Sequence, residues 1–409
     1  MKANFVTFHK VNDAWLTFFS IHRKINLERY HFSEEGTLFH LRSCTLEKIK
    51  EHAIIKTKWG VHAKGNRDME FDNILFHNVE ELEKTEKGYL PRRIRKDIRE
   101  QISTGVQENI YATGVELRFT MPKGSVDIVL RADMVPESAT LHIFFGSFQG
   151  GWDQSSKNIY ETETRIHIEY PEERKMETLR RITAEQKLPF QPEVVRIVLP
   201  YVPCYYVCTE GVTEVPKPEQ LPRETYLAYG SSITHGSLGL IQPDSYVFRI
   251  SQLLGTDYIN LGFAGRALME EEMAKYIISR KDWNFASVEM GVNALEIKKG
   301  IPTLEAFEER IDKFTAVLAE DPRPIFATSI FGFNDDPDQE RAEKMRRIVR
   351  KYAASRLIYT DGLQLLDNSC FISADLVHPS VQGQQQIAER WSRVMEEYKE
   401  YRSHASCVL

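Results

Sequence analysis

Apolar and polar residues alternate with period two through much of the first half of the chain. Val115, Leu117, Phe119 and Met121 interleave with Glu116, Arg118 and Thr120, and Val126, Ile128, Leu130 and Ala132 follow after Pro122-Lys123-Gly124. Ile166, Ile168 and Tyr170 alternate with Arg165, His167 and Glu169, and apolar runs occupy Leu141 to Phe145 and Val194 to Leu199. Successive side chains on a strand point to opposite faces, so this pattern predicts half-buried strands in series. Turn residues between them point to an antiparallel, jelly-roll-like sandwich. The first ~85 residues are weakly patterned and read as peripheral strands and a short helix of the same domain. Ile94, Ile98 and Ile102 recur every four residues, with Pro91 where a first helical residue would stand. That predicts an amphipathic helix whose solvated face carries Arg92, Arg93, Arg95 and Lys96.

The pattern changes near residue 215. Pro216, Pro218 and Pro222 punctuate a short polar stretch that reads as a linker. Beyond it, strands and helices alternate. Strands are predicted at Tyr226–Tyr229, Tyr258–Leu261, Ala286–Met290, Ile325–Ile330 and Leu357–Tyr359. Helices are predicted at Tyr246–Leu254, Met269–Ser279, Thr303–Leu318, Gln339–Tyr352 and Gln382–Tyr398. This order predicts a parallel sheet between two helical layers, a flavodoxin-like α/β domain. The expected organisation is a mainly-β domain over residues 1–215, a linker at 216–223 and an α/β domain over 224–409.

The length of 409 residues agrees with two domains, and 42% hydrophobic and 27% charged residues are ordinary globular usage. With 53 Lys+Arg against 59 Asp+Glu, the net charge is −6. No basic excess draws the chain to a polyanion, so a nucleic-acid partner is not expected. No apolar run of about 18 residues occurs, so no membrane span is expected. The first residues lack the apolar core of a signal peptide, so the expected location is cytoplasmic. The five cysteines include no Cys-x-x-Cys, and the 12 histidines include no His-Glu-x-x-His. Neither a disulfide framework nor a metal site is therefore expected. Cys204 and Cys208, in an apolar stretch, read as buried thiols.

In an open parallel sheet, ligands bind beyond the carboxyl ends of the strands. Four small-residue motifs fall at such edges: Gly230-Ser231-Ser232, Asn260-Leu261-Gly262-Phe263-Ala264-Gly265, Gly291-Val292-Asn293 and Asp375-Leu376-Val377-His378. Together they supply what acyl transfer needs. A serine on a tight turn is a nucleophile, and a histidine held by a carboxylate is its base. Backbone N–H groups at glycine turns and an asparagine amide can receive an oxyanion. Each residue also has a plainer reading: Ser232 or Asn293 as a helix cap, Gly265 as a turn, His378 and Asp375 as loop residues. The α/β-hydrolase elbow Gly-x-Ser-x-Gly is not matched, because Thr234 stands at its second glycine.

In order and spacing, these blocks resemble the SGNH, or GDSL-type, hydrolases over about residues 224–400. The resemblance places Ser232 as nucleophile, with Ser231 where the family usually has Asp. It places Ser232, Gly265 and Asn293 at the oxyanion hole, and Asp375 and His378 in the triad. It implies an ester hydrolase that needs no cofactor. Relatives with a β-sandwich ahead of this domain imply removal of acetyl or short acyl groups from a carbohydrate. A lysophospholipase-like esterase, an acyltransferase and a non-catalytic carbohydrate-binding module are the alternatives. His235 stands close enough to Ser232 to contact substrate, or to be packed. The loop Gly146-Ser147-Phe148-Gln149-Gly150-Gly151-Trp152 reads as a lip or a hairpin and is left outside the catalytic set.

Overall fold

The computed structural model describes residues 68–407 except 104–105, 107–109, 134–138, 298–299 and 336–338. The elements expected before residue 68, the N-terminal leader reading and Cys44 lie outside the described residues. The first half contains strands β1 (Met69–Phe71), β2 (Ile74–His77), β3 (Glu81–Thr85), β4 (Gly88–Arg92), β5 (Glu116–Phe119) and β6 (Ser125–Ala132). It continues with β7 (Thr140–Phe145), β8 (Phe148–Gln149), β9 (Ser156–Asn158), β10 (Thr164–Glu169), β11 (Val195–Val198) and β12 (Cys204–Glu210). Helices α1 (Lys96–Arg99) and α2 (Glu173–Gln186) interrupt them. The strands form antiparallel sheets in the orders β1-β2-β5-β11-β7-β8, with β9 beside β7, and β10-β6-β12-β4-β3. Phe76, Leu117, Ile143 and Ile197 from the first sheet share one buried core with Ile128, Leu130, Ile168 and Tyr206 from the second. Cys204 is buried in β12, whereas Cys208, beyond a bulge that shifts the register after Tyr206, is only partly covered.

From Thr225 the chain alternates. In order come β13 (Thr225–Gly230), α3 (Ser232–His235), α4 (Tyr246–Leu254), β14 (Asp257–Gly262), α5 (Glu271–Ser279) and β15 (Phe285–Glu289). Then follow α6 (Leu304–Leu318), β16 (Ile325–Thr328), α7 (Gln339–Arg356), β17 (Ile358–Thr360), α8 (Gly362–Leu365) and α9 (Val381–Cys407). Local chemistry sets the helix limits. Ser245 Oγ accepts the Phe248 N–H at the start of α4, and Gly255, at φ 63°, ends it. Thr303 caps α6 through the Ala306 N–H. The parallel strand order is β14-β13-β15-β16-β17. Its switch point lies where β13 separates the second strand from the third, which is where such sheets open a crevice. The turn after β13 carries Ser232.

Two polar patterns do not face water. Leu117 and Phe119 enter the shared core as expected, yet Glu116 and Arg118 between them are also fully buried. Arg118 makes paired bonds to Asp257 at the start of β14, 2.8 Å each, and its Nε reaches Glu116 at 2.7 Å. Arg196 and the Tyr258 hydroxyl also bond Glu116. Burial opposes ionisation of Glu116, but the adjacent Arg118 and Arg196 charges hold its carboxyl down at about 2. The outer face of this antiparallel sheet is thus seated on β14, the edge strand of the parallel one.

The amphipathic helix expected from Pro91 onward is the second correction. Pro91 and Arg92 belong to β4, Pro91 pairing with Leu82, and of residues 91–102 only Lys96–Arg99 is helical. Ile94 and Ile102 are buried as the spacing requires, but Arg93 is buried with them. Its Nη1 donates to the carbonyls of Asn260 and Gly262, both at 2.9 Å, while the guanidinium covers the Phe263 ring. Carbonyls at the end of a parallel edge strand need donors, and Arg93 supplies them.

Candidate active site

The nucleophile candidate owes its release from capping to its neighbour. Ser231, not Ser232, is the N-cap of α3: its Oγ accepts the Ile233 N–H at 3.1 Å. Ser232 is therefore the first helical residue, its hydroxyl released from capping and its N–H without an intrahelical acceptor. Gly236, at φ 96°, closes this single turn of helix. Gly262 lets the turn approach β14, since a Cβ there would stand 2.2 Å from the His235 nitrogen.

His378 and Asp375 come from a loop just before α9. Ile372 and Pro379 bridge its ends, and Asn334 N–H bonds the Leu376 carbonyl at 2.7 Å. His378 Nε2 lies 2.7 Å from Ser232 Oγ, and His378 Nδ1 lies 2.5 Å from Asp375 Oδ2. The other carboxylate oxygen of Asp375 accepts from the Ser373 hydroxyl and the Val377 and His378 N–H groups. Burial works against ionisation of Asp375, but these bonds, Ser373 foremost, bring its carboxyl down to about 2. Gln384, fully buried on α9, clamps the two sides together: it donates to the Ile233 carbonyl and accepts the Tyr246 N–H.

Strand order brings the remaining motifs alongside. Phe263 N–H bonds the Gly230 carbonyl at 2.9 Å, joining the ends of β14 and β13. Asn260 braces this joint, donating to the Thr234 carbonyl and accepting the Gly262 N–H. Gly265 holds a left-handed turn at φ 70°, where glycine has no Cβ penalty. Asn293 is buried just after β15, and its Oδ1 accepts the Ala267 N–H at 3.0 Å. Ser232, Gly265 and Asn293 thus follow the carboxyl ends of the neighbouring strands β13, β14 and β15, and hydrogen bonds bring His378 and Asp375 to Ser232.

His235 is placed otherwise. Its buried ring bonds the Thr113 hydroxyl, stacks on Tyr201 and meets Tyr111 edge-on. Burial, with the Arg93 charge, drives its pKa down to about 3, so it stays neutral. These are the contacts of a packed residue. Glu289, buried behind Ser231 and bonded to its N–H, lies outside the four motifs. The available signal was an acid inside the apolar run Phe285–Met290. Among the described residues no group of three or more His, Cys, Asp or Glu side chains could hold a metal ion, and no helix is long and apolar enough to cross a membrane.

No family model matches the sequence, and no curated protein matches it. Solved structures do. A salicylyl-acyltransferase from a tetracycline biosynthetic pathway aligns with a TM-score of 0.60 and 16% identity, covering 81% of this chain and 96% of that one. A putative GDSL-like lipase from Bacteroides ovatus gives 0.55 and 15%, covering 75% and 91%. A family two carbohydrate esterase from Cellvibrio japonicus gives 0.51 and 12%, covering 71% and 90%. At these identities the likeness is one of fold. The chain shares with them a parallel sheet between helices with antiparallel β-sheets ahead of it.

Proposed function

We propose that the chain is a serine ester hydrolase that removes acetyl or other short acyl groups from a carbohydrate or glycoconjugate through an acyl-enzyme. The observation that carries the reaction is the relay from Asp375 through His378 to Ser232, with spacings of 2.5 and 2.7 Å. In this reading Ser232 Oγ attacks the ester carbonyl as His378 Nε2 takes its proton, and Asp375 holds the Nδ1–H and balances the imidazolium. The Ser232 and Gly265 N–H groups and the Asn293 amide receive the oxyanion. His378 then gives its proton to the leaving alcohol, and water repeats the attack to release the acid. Support for a sugar ester comes from the carbohydrate esterase with the same fold. We read the two antiparallel sheets that share a core as a β-sandwich domain, joined through 216–223 to the hydrolase domain.

A specific observation favours a second reading, an esterase or acyltransferase for more apolar groups. Leu238 and Leu240, in the loop after α3, and Leu376, between Asp375 and His378, are exposed and hold φ of 61°, 68° and 68°. Left-handed backbone costs a leucine roughly 1–2 kcal/mol, and exposure returns nothing to it. Such outliers gather where a ligand uses them. A screen of 4-nitrophenyl esters of increasing chain length beside acetylated sugars, with Ser232→Ala as blank, separates the readings. Acetyl release from sugars exceeding all longer esters supports the first. Preference for long acyl chains replaces it with the second.

A further inference from the structure

Glu289 ends β15 with 1% of its surface exposed, directly behind the turn that carries Ser232. Its Oε2 accepts the Ser231 N–H at 2.7 Å and the Thr234 hydroxyl at 3.3 Å. The carboxyl therefore grips the backbone one residue before the nucleophile and the side chain two residues after it. Gly230 makes the approach possible: a Cβ there would stand 2.6 Å from Glu289 Oε2 and 2.0 Å from Thr234 Oγ1. The glycine of the Gly-Ser-Ser motif thus has a steric reason, which is room for this acid.

Stability alone does not account for the residue. Among the described residues Oε1 is buried without a hydrogen-bond partner, and a half-satisfied buried acid costs more than an apolar side chain of the same shape. The titratable groups that face it are Tyr246, through its 2.7 Å bond to Thr234, Tyr229 on β13, and His378 across the nucleophile. Burial raises the Glu289 pKa above the ordinary carboxylate value, against the bonds from Ser231 and Thr234. What the group supplies is an acceptor, since one oxygen takes both donors.

We propose that Glu289 is a positioning residue for the nucleophile: by accepting the Ser231 N–H it sets Ser232 Oγ against His378 and turns the Ser232 N–H toward the oxyanion. This rests on the serine-hydrolase reading above. Glu289→Gln retains the acceptor and Glu289→Leu removes it, so both are compared with wild type in the full chain. The measurements are kcat and KM on 4-nitrophenyl acetate, labelling by a fluorophosphonate from pH 5 to 9, and circular dichroism. The expected result is a Gln variant within about threefold of wild type in kcat, and a folded Leu variant about 10–100-fold lower in kcat with KM little changed. A folded Leu variant with wild-type kcat overturns the proposal, and so does a Gln variant that loses as much as Leu. If the Leu variant does not fold, the labelling profile of the Gln variant decides. Superposition on wild type supports an acceptor role, and a displaced acidic limb contradicts it. Absence of labelling in wild type overturns the hydrolase reading instead, which is a separate result.

Discussion

Ala267 donates its backbone N–H to Asn293 Oδ1 at 3.0 Å, and that bond decides how the Asn293 amide is used. Only the oxygen end can accept it, so the NH2 end is the one left to act as donor. A buried asparagine is thereby oriented before substrate arrives, which is what an oxyanion donor requires. Asn293→Ala is expected to lower kcat on the order of 10²–10³-fold with a smaller change in KM. Steady-state kinetics on any hydrolysed ester checks this, and an unchanged kcat removes Asn293 from the oxyanion hole.

Asp375 gives a prediction with a pH signature. Its carboxyl is held at about 2, below the 3.8 of an unperturbed Asp. A depressed carboxylate makes its contribution above the unfolded value and loses it as pH falls toward the folded one. The imidazole therefore keeps its charged partner throughout the working range. Asp375→Asn is expected to depress kcat at least about tenfold, toward the roughly 10⁴ of a template triad, and to do so across about pH 5–9. An unchanged kcat, with folding confirmed by circular dichroism, leaves a Ser232–His378 dyad.

Much of the architecture was legible because local signals agreed with one another. The run Tyr246–Leu254 is apolar at helical spacing, with Ser245 before it and Gly255 after it, so both ends are marked as well as the middle. The four candidate motifs stand out in the sequence because they follow strand ends of a parallel sheet, where ligands bind. The misreadings share a cause. Glu116 and Arg118 alternate with apolar residues as solvated positions do, and nothing nearby reveals that Asp257, 139 positions beyond Arg118, covers them. Arg93 sat within a basic run, and its use as a cap for β14 carbonyls is equally non-local. Helix α2 leaves little trace in the sequence because only Met176 and Thr183 of its 14 residues are buried, too few for a helical period.

The ion network between the two sheets predicts a stability effect. Removing Arg118 leaves Asp257 buried without its paired guanidinium and Glu116 with one arginine fewer. Breaking a buried pair from one side costs about 3–5 kcal/mol. Arg118→Met is expected to lower the unfolding free energy by that amount in denaturant titrations. A change below about 1 kcal/mol would mean that the network contributes no more than a surface ion pair.

His235 predicts acid sensitivity. Its folded pKa, about 3, lies below the ordinary 6.5. The unfolded chain takes up the proton first as pH falls, so stability is full above 6.5 and declines toward 3. By pH 5 the loss from this one group is about 2 kcal/mol. In His235→Gln the drop in unfolding free energy between pH 7 and pH 5 is expected to be smaller by about that much. An equal drop in both proteins would show that His235 is protonated in the fold.

The central claim is that Ser232 is a nucleophile activated by His378 across 2.7 Å. Intact-mass spectrometry after reaction with a fluorophosphonate tests it most directly, on wild type, Ser232→Ala and His378→Ala. The account predicts one adduct per chain in wild type, mapped to Ser232 by peptide sequencing, none in Ser232→Ala and strongly slowed labelling in His378→Ala. Equal labelling of wild type and Ser232→Ala, or no labelling of either, would contradict it.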